Sequence, residues 1–153
     1  IHFIDTLRYV TSGGKTVYGG GGIMPDIFIP ADTFGISDYY NKINRKGCEY
    51  QFCLEYTDRN RVTLSKFTKP DEFVTYLKKE NIFEQFVAYA ETQGIARDSK
   101  GIKASRQIIE TQIMALIARN VIDNDGFYPI YQNIDNTLLE SIKIVENKSL
   151  KNL

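Results

Sequence analysis

The residues with chemical potential are few, and most fail on spacing. Gly14-Lys15-Thr16 ends like a phosphate loop, in which backbone N–H groups cradle a nucleotide and the Lys reaches its phosphates. That loop needs a glycine five residues before Gly14, where Tyr9 stands, and a helix directly after it to hold the phosphate. Val17-Tyr18 leads instead into four glycines. Asp123-x-Asp125-Gly126 has the look of a calcium loop, but the first ligand position falls on Val121, so a turn ending a helix is expected. His2 is the only histidine and has no Ser or Cys partner in a readable triad motif. Ser12 lies in no Gly-x-Ser-x-Gly elbow. Cys48 and Cys53 are the only cysteines. On one helix their spacing of five turns them about 140° apart, and nothing completes a zinc set around them. Buried free thiols are expected. No catalytic, cofactor-binding or metal-binding residue is assigned.

Other polar features have plain readings. Lys103, Arg106 and Arg119 fall on the polar side of a long helix and are expected to be solvated. Asn147-Lys148-Ser149 matches a glycosylation acceptor, a short pattern that often arises by chance. Tyr39, Tyr40, Tyr50, Tyr56 and Tyr76 cluster in the early helices, either as a partner surface or as core and rim packing. The run Gly19, Gly20, Gly21 and Gly22 could make an anion-binding nest. The structural reading is preferred: a chain passing close to a neighbouring backbone, or adopting positive φ.

These residues sit in a chain of ordinary globular composition. Of 153 residues, 42% are hydrophobic and 25% charged, which suits one folded unit and argues against disorder. Net charge is +0, so no basic field points to nucleic acid or an anionic membrane. No apolar run approaches the ~20 residues that span a bilayer. The chain begins Ile1-His2-Phe3 without an initiator Met and reads as an excised or processed piece.

The elements change character near residue 35. Before it lie Gly13, Gly14, Gly19 to Gly22 and Gly35, with Pro25 and Pro30. Residues 7–11 read as a strand, 12–15 as a turn, 15–18 as a short return strand and 26–29 as an edge strand or extended segment. From Ser37 the period is helical. Ser37 caps a helix to about Lys46, which Gly47 ends. A half-buried helix follows over 48–58, then a weaker piece over 60–67. Thr68 is expected to cap the next helix, with Pro70 in its first turn. Asn81 caps another, which Gly94 ends. The longest helix should run from about 99 to 122, burying Ile102, Ile109, Ile113, Leu116 and Ile117, with Ile108 and Val121 widening the stripe. A break at 123–126, a short piece over 128–132, a last helix capped by Asp135 and a frayed tail from 149 complete the reading. The fold class is mainly α: a bundle of five to seven helices preceded by a short Gly-rich β element. The expected division is 1–34 and 35–153.

One segment is more specific. Thr11, Gly14, Val17, Tyr18, Gly19, Gly20, Gly21, Gly22, Ile23, Pro25 and Asp26 follow a pattern of the form Thr-x-x-Gly-Arg-x-Val-Tyr-Gly-Gly-Gly-Gly-Ile-x-Pro-Asp. This resembles the segment just after the catalytic core of carboxyl-terminal processing peptidases, the tail-specific serine proteases of family S41. Lys15 stands where the family has Arg, keeping the charge but losing the planar fork. The helical remainder resembles the C-terminal extension of Bacteroides-type members. The resemblance implies a parent enzyme using a Ser nucleophile and a neutral Lys base, both upstream of this chain. It implies that 1–34 complete the protease core and that 35–153 form a non-catalytic helical domain that scaffolds, self-associates or restricts substrate access. It implies as partners the upstream core and a PDZ-like domain of the same parent, with protein or peptide substrates and a periplasmic or cell-envelope location. No cofactor and no nucleic acid are implied. The alternative is a non-catalytic helical protein-binding module unrelated to proteolysis, whose Gly-rich arm contacts a partner.

Overall fold

β-branched and aromatic side chains favour an extended backbone, and a tight glycine turn lets two such runs meet. β1 (Arg8–Val10) and β2 (Thr16–Tyr18) pair antiparallel, Tyr9 opposite Val17. The turn closes through Gly14 N–H donating to Thr11 O at 2.9 Å, with Gly14 at φ +83°. The computed structural model describes residues 8–14, 16–19, 27–30, 33 and 35–147. Ile27 to Pro30 join no ladder, so of the two readings for 26–29 the edge strand is absent from the described part, while Asp26 lies outside it. The expected tail from 149 also lies outside.

Seven α-helices follow the hairpin among the described residues, so the fold is mainly α. α1 (Asp38–Lys46) starts where Ser37 Oγ accepts from Tyr40 N at 3.2 Å. It ends at Gly47, whose φ of +62° favours glycine and whose N–H donates to Asn44 O. α2 (Cys48–Arg59) begins at the next residue, so Gly47 serves both helices. α3 (Arg61–Leu64) is one turn.

Two expected caps are corrected. At α4 (Pro70–Lys79) the capping position is Lys69 rather than Thr68. A residue before proline is pushed to extended backbone, and Lys69 adopts φ −122° and ψ 142°. Glu72 reaches back instead and accepts from Thr68 N at 2.8 Å and Lys69 N at 3.0 Å. These two bonds hold its carboxyl below the usual range. At α5 (Ile82–Thr92), Asn81 occupies the capping position, but in the left-handed region at φ 51°, and its side chain caps nothing. The link from α4 is so short that a left-handed residue must turn it, and Asn tolerates that conformation. The end of α5 is as expected: Gly94 has φ +74° and Ile95 N donates to Ala90 O.

α6 (Ser99–Tyr131) is the axis of the bundle, with α1, α2, α4 and α5 packed against it. Ile109, Ile113 and Ile117 are fully buried, as their spacing implies. Ile102, Ile108, Leu116 and Val121 are only half-buried. Small residues share the inner face with the buried isoleucines: Gly101, Ser105, Ala115 and Ala118. The same core holds Tyr39, which lies against Gly101, and Phe73, Phe83 and Phe86, all essentially inaccessible; each Phe contributes about 1.5–3 kcal/mol by burial. Ile122 (φ −125°) and Asp123 (φ 53°) interrupt the helix where a break was expected. The chain is helical again at once, so 123–126 is no loop. A Cβ at Gly126 would lie 2.9 Å from the Ala118 carbonyl carbon, so the missing side chain lets the second segment fold back on the first. A 3-10 turn (Gln132–Ile134) leads to α7 (Asn136–Glu146), capped by Asp135 Oδ1 accepting from Leu138 N at 3.0 Å.

Candidate functional site

Ser37 and Ser105 fasten the entry of the bundle. Ser105 Oγ donates to Gly35 O at 2.5 Å and lies 2.7 Å from Ser37 Oγ, which also reaches Gly101 O at 3.2 Å. These hydroxyls are engaged with backbone and with each other, and neither bonds a basic side chain among the described residues.

The face of α2 turned to α6 carries a polar seam. Thr57 Oγ1 donates to Cys53 O at 2.7 Å, and Asn120 Nδ2 donates to Thr57 Oγ1 at 3.2 Å. Cys53 Sγ points to Ile113 O at 3.7 Å. One turn earlier sits Glu49, only 9% exposed. Gln112 of α6 lies between it and Tyr40 of α1. With its amide nitrogen toward Glu49, Gln112 donates to both carboxylate oxygens at 3.2 Å and accepts from Tyr40 Oη at 3.0 Å. The opposite orientation sets Oε1 against the two Glu49 oxygens, which an ionised carboxylate cannot satisfy and a protonated one can, and leaves Nε2 3.0 Å from Tyr40 Oη.

Glu49 forms no ion pair among the described residues. Burial pushes its carboxyl up to about 7. Burial, and secondarily Glu49, raise the Cys53 thiol well above its ordinary value. Cys48 is raised by burial, against the pull of Lys46. Both cysteines are free and buried, as expected, and protonated thiols of this kind are poor nucleophiles.

A second feature is the open groove between α2 and α5, floored by Phe52, Tyr56 and Tyr89. Its acid is already engaged: Glu55 pairs with Arg59 at 2.7 Å and accepts from Tyr89 Oη at 3.3 Å. The tyrosines of the early helices divide between core, rim and surface. Tyr39 and Tyr56 are core, Tyr40 and Tyr76 half-buried, and Tyr50 exposed. Arg106 and Arg119 do more than meet solvent: each guanidinium covers a ring, Phe83 at 4.5 Å and Phe127 at 5.4 Å. Arg106 also pairs with Glu84 and Glu110, while Lys103 is exposed. Among the described residues no group of three or more His, Cys, Asp or Glu could hold a metal ion, and no helix is long and apolar enough to cross a membrane.

Of the glycine motif, Gly14 lies in the hairpin turn, Val17 and Tyr18 on β2, and Gly19 directly after it. Lys15, Gly20, Gly21, Gly22, Ile23, Pro25 and Asp26 lie outside the described residues, as does His2. The Glu49–Gln112–Tyr40 chain was missed by sequence reasoning. Its signal was there: Glu49, Cys53 and Tyr56 recur at spacings of four and three on one face of α2.

Fold and site together define a helical-bundle protein with an acid, unpaired among the described residues, buried beneath its central helix. The model of a family of unknown function, DUF8443, matches residues 39–123, more than half of the chain, and the chain belongs to that family. The match runs from α1 to the break in α6 and includes Tyr40, Glu49 and Gln112. The chain matches no curated protein and no solved structure.

Proposed function

We infer that the chain is the non-catalytic C-terminal part of an S41-type serine endopeptidase. Residues 1–34 would complete the protease core, and 35–153 would form a scaffolding, self-associating or access-restricting domain. The observation that carries this reading is the hairpin. Tyr9 and Val17, paired across it, are 57% and 40% exposed, and Val10 is 64% exposed. A two-stranded hairpin is marginal alone, and exposed apolar strand residues mark a surface that a neighbouring layer covers. The glycine pattern resembling the peptidases begins in this same hairpin. The parent enzyme, its PDZ-like domain, its peptide substrates and a periplasmic or cell-envelope location belong to this reading.

The test is the coding sequence upstream of Ile1. Ser and Lys motifs preceded by a PDZ-like stretch support the reading, and an unrelated upstream region sinks it. The second reading, a helical protein-binding module, is favoured by α7, whose Leu138, Leu139, Ile142 and Val145 are 37–61% exposed. That reading alone survives an unrelated upstream sequence.

A further inference from the structure

Glu49, Gln112 and Tyr40 link three helices through one amide that can face either way. An ionised carboxylate only accepts hydrogen bonds, whereas a protonated one can donate. The amide carries donors at one end and an acceptor at the other, so the protonation state of Glu49 selects its orientation. We propose that Glu49, Gln112 and Tyr40 form a proton-operated amide switch, which transmits the ionisation of Glu49 on α2 to the hydroxyl of Tyr40 on α1.

In the ionised state, Gln112 Nε2 donates to both Glu49 oxygens at 3.2 Å, and Tyr40 Oη–H donates to Gln112 Oε1 at 3.0 Å. When Glu49 takes a proton from solvent, its O–H needs an acceptor and its repulsion of the amide carbonyl is gone. Gln112 turns over, Oε1 accepts from the Glu49 O–H, and Nε2 donates to Tyr40 Oη at 3.0 Å. The Tyr40 O–H is thereby released toward solvent, which its half-buried position allows. One proton enters at Glu49, no covalent bond other than that O–H forms, and Tyr40 changes from donor to acceptor.

Other groups near Glu49 do not drive the change. From α2 the facing groups are the Cys48 and Cys53 thiols, both held protonated by burial. At the end of α1, Lys46 acts on Cys48 and donates to Gln93 O at 2.6 Å. On α5, Tyr89 lies near Cys48 and bonds Glu55. From α6 the Gln112 amide meets Glu49, and burial is the one cause acting on the carboxyl. That burial brings its titration to about 7, so both states are reached near neutral pH.

NMR titration from pH 5 to 9 tests the switch in the full chain. The reporters are the Glu49 carboxyl carbon, the Gln112 side-chain amide and the Tyr40 ring carbon bearing oxygen. All three should move with one shared midpoint. In Gln112→Leu, Glu49 should still titrate while the Tyr40 response is lost. In Glu49→Gln, the Gln112 and Tyr40 responses should both vanish. A Tyr40 response that persists in Gln112→Leu overturns the relay. So does a wild-type Gln112 signal that stays flat while Glu49 titrates, or a Glu49 carbon that does not titrate in this window. The wild-type carbon signals decide the matter even if a variant fails to fold.

Discussion

Replacing Glu49 by Gln should make the protein more stable at alkaline pH and change it little in acid. The carboxyl is buried, has no cation beside it among the described residues, and titrates at about 7 in the folded protein against 4.5 as its ordinary value. Between those values the folded state binds the proton and the unfolded state does not. Stability therefore falls as pH rises through the window of about 4.5 to 7, and the full cost is present above it. A shift of about 2.5 units at 1.36 kcal/mol per unit makes that cost on the order of 3 kcal/mol. Gln keeps the shape and the hydrogen-bonding partners of a protonated Glu and cannot ionise. Urea unfolding of both proteins at half-unit steps from pH 4 to 9 measures the difference. The variant's advantage should be near zero at pH 4, grow through pH 6 and level off above pH 8. A constant difference across that range, or a variant as sensitive to alkali as the wild type, would refute the reasoning.

Three further outcomes follow from packing and hydrogen bonding. Ser105→Ala removes the donor to Gly35 O and should cost about 1–3 kcal/mol in urea melts; amide exchange at Ile36 and Tyr40 should quicken, and unchanged exchange there contradicts the fastening role. Gly126→Ala places a Cβ 2.9 Å from the fixed carbonyl carbon of Ala118. It should destabilise by about 1–3 kcal/mol, and an unchanged melt argues against the close approach of the two α6 segments. Tyr39→Phe should be neutral or stabilising by up to about 1–2 kcal/mol, because the buried Tyr39 hydroxyl has no hydrogen-bond partner among the described residues; a loss of stability shows that the hydroxyl is held.

What could be read from the sequence was whatever a few neighbouring residues decide among themselves. Ser37 and Gly47 bound α1 because a cap needs only a hydroxyl at one end and a left-handed residue at the other. The Thr68 expectation failed by one residue because the backbone constraint of Pro70 outranks the capping preference of Thr. Asn81 failed because its position is set by how closely α4 and α5 must follow one another, which is a tertiary demand. The break at Ile122 and Asp123 was legible, but the immediate restart was not. It depends on Gly126 meeting Ala118, a contact between two parts of one element that the sequence does not advertise.

The buried acid escaped notice for a related reason. A charged residue is taken as surface unless a partner of opposite sign is visible, and Glu49 has none among the described residues. Its partner is an uncharged amide, sixty-three positions away on α6. Two helix periods must be superimposed before the pair appears: Glu49, Cys53 and Tyr56 on α2, and Ile109, Gln112 and Ile113 on α6. Each series places one polar residue among inward-facing ones. Burying an ionisable group against an amide costs stability near neutral pH, as the Glu49→Gln comparison measures, whereas an apolar pair there would avoid the cost. That cost makes the seam responsive to a single proton, and the Gln112 amide gives the response a direction, from α2 through α6 to α1.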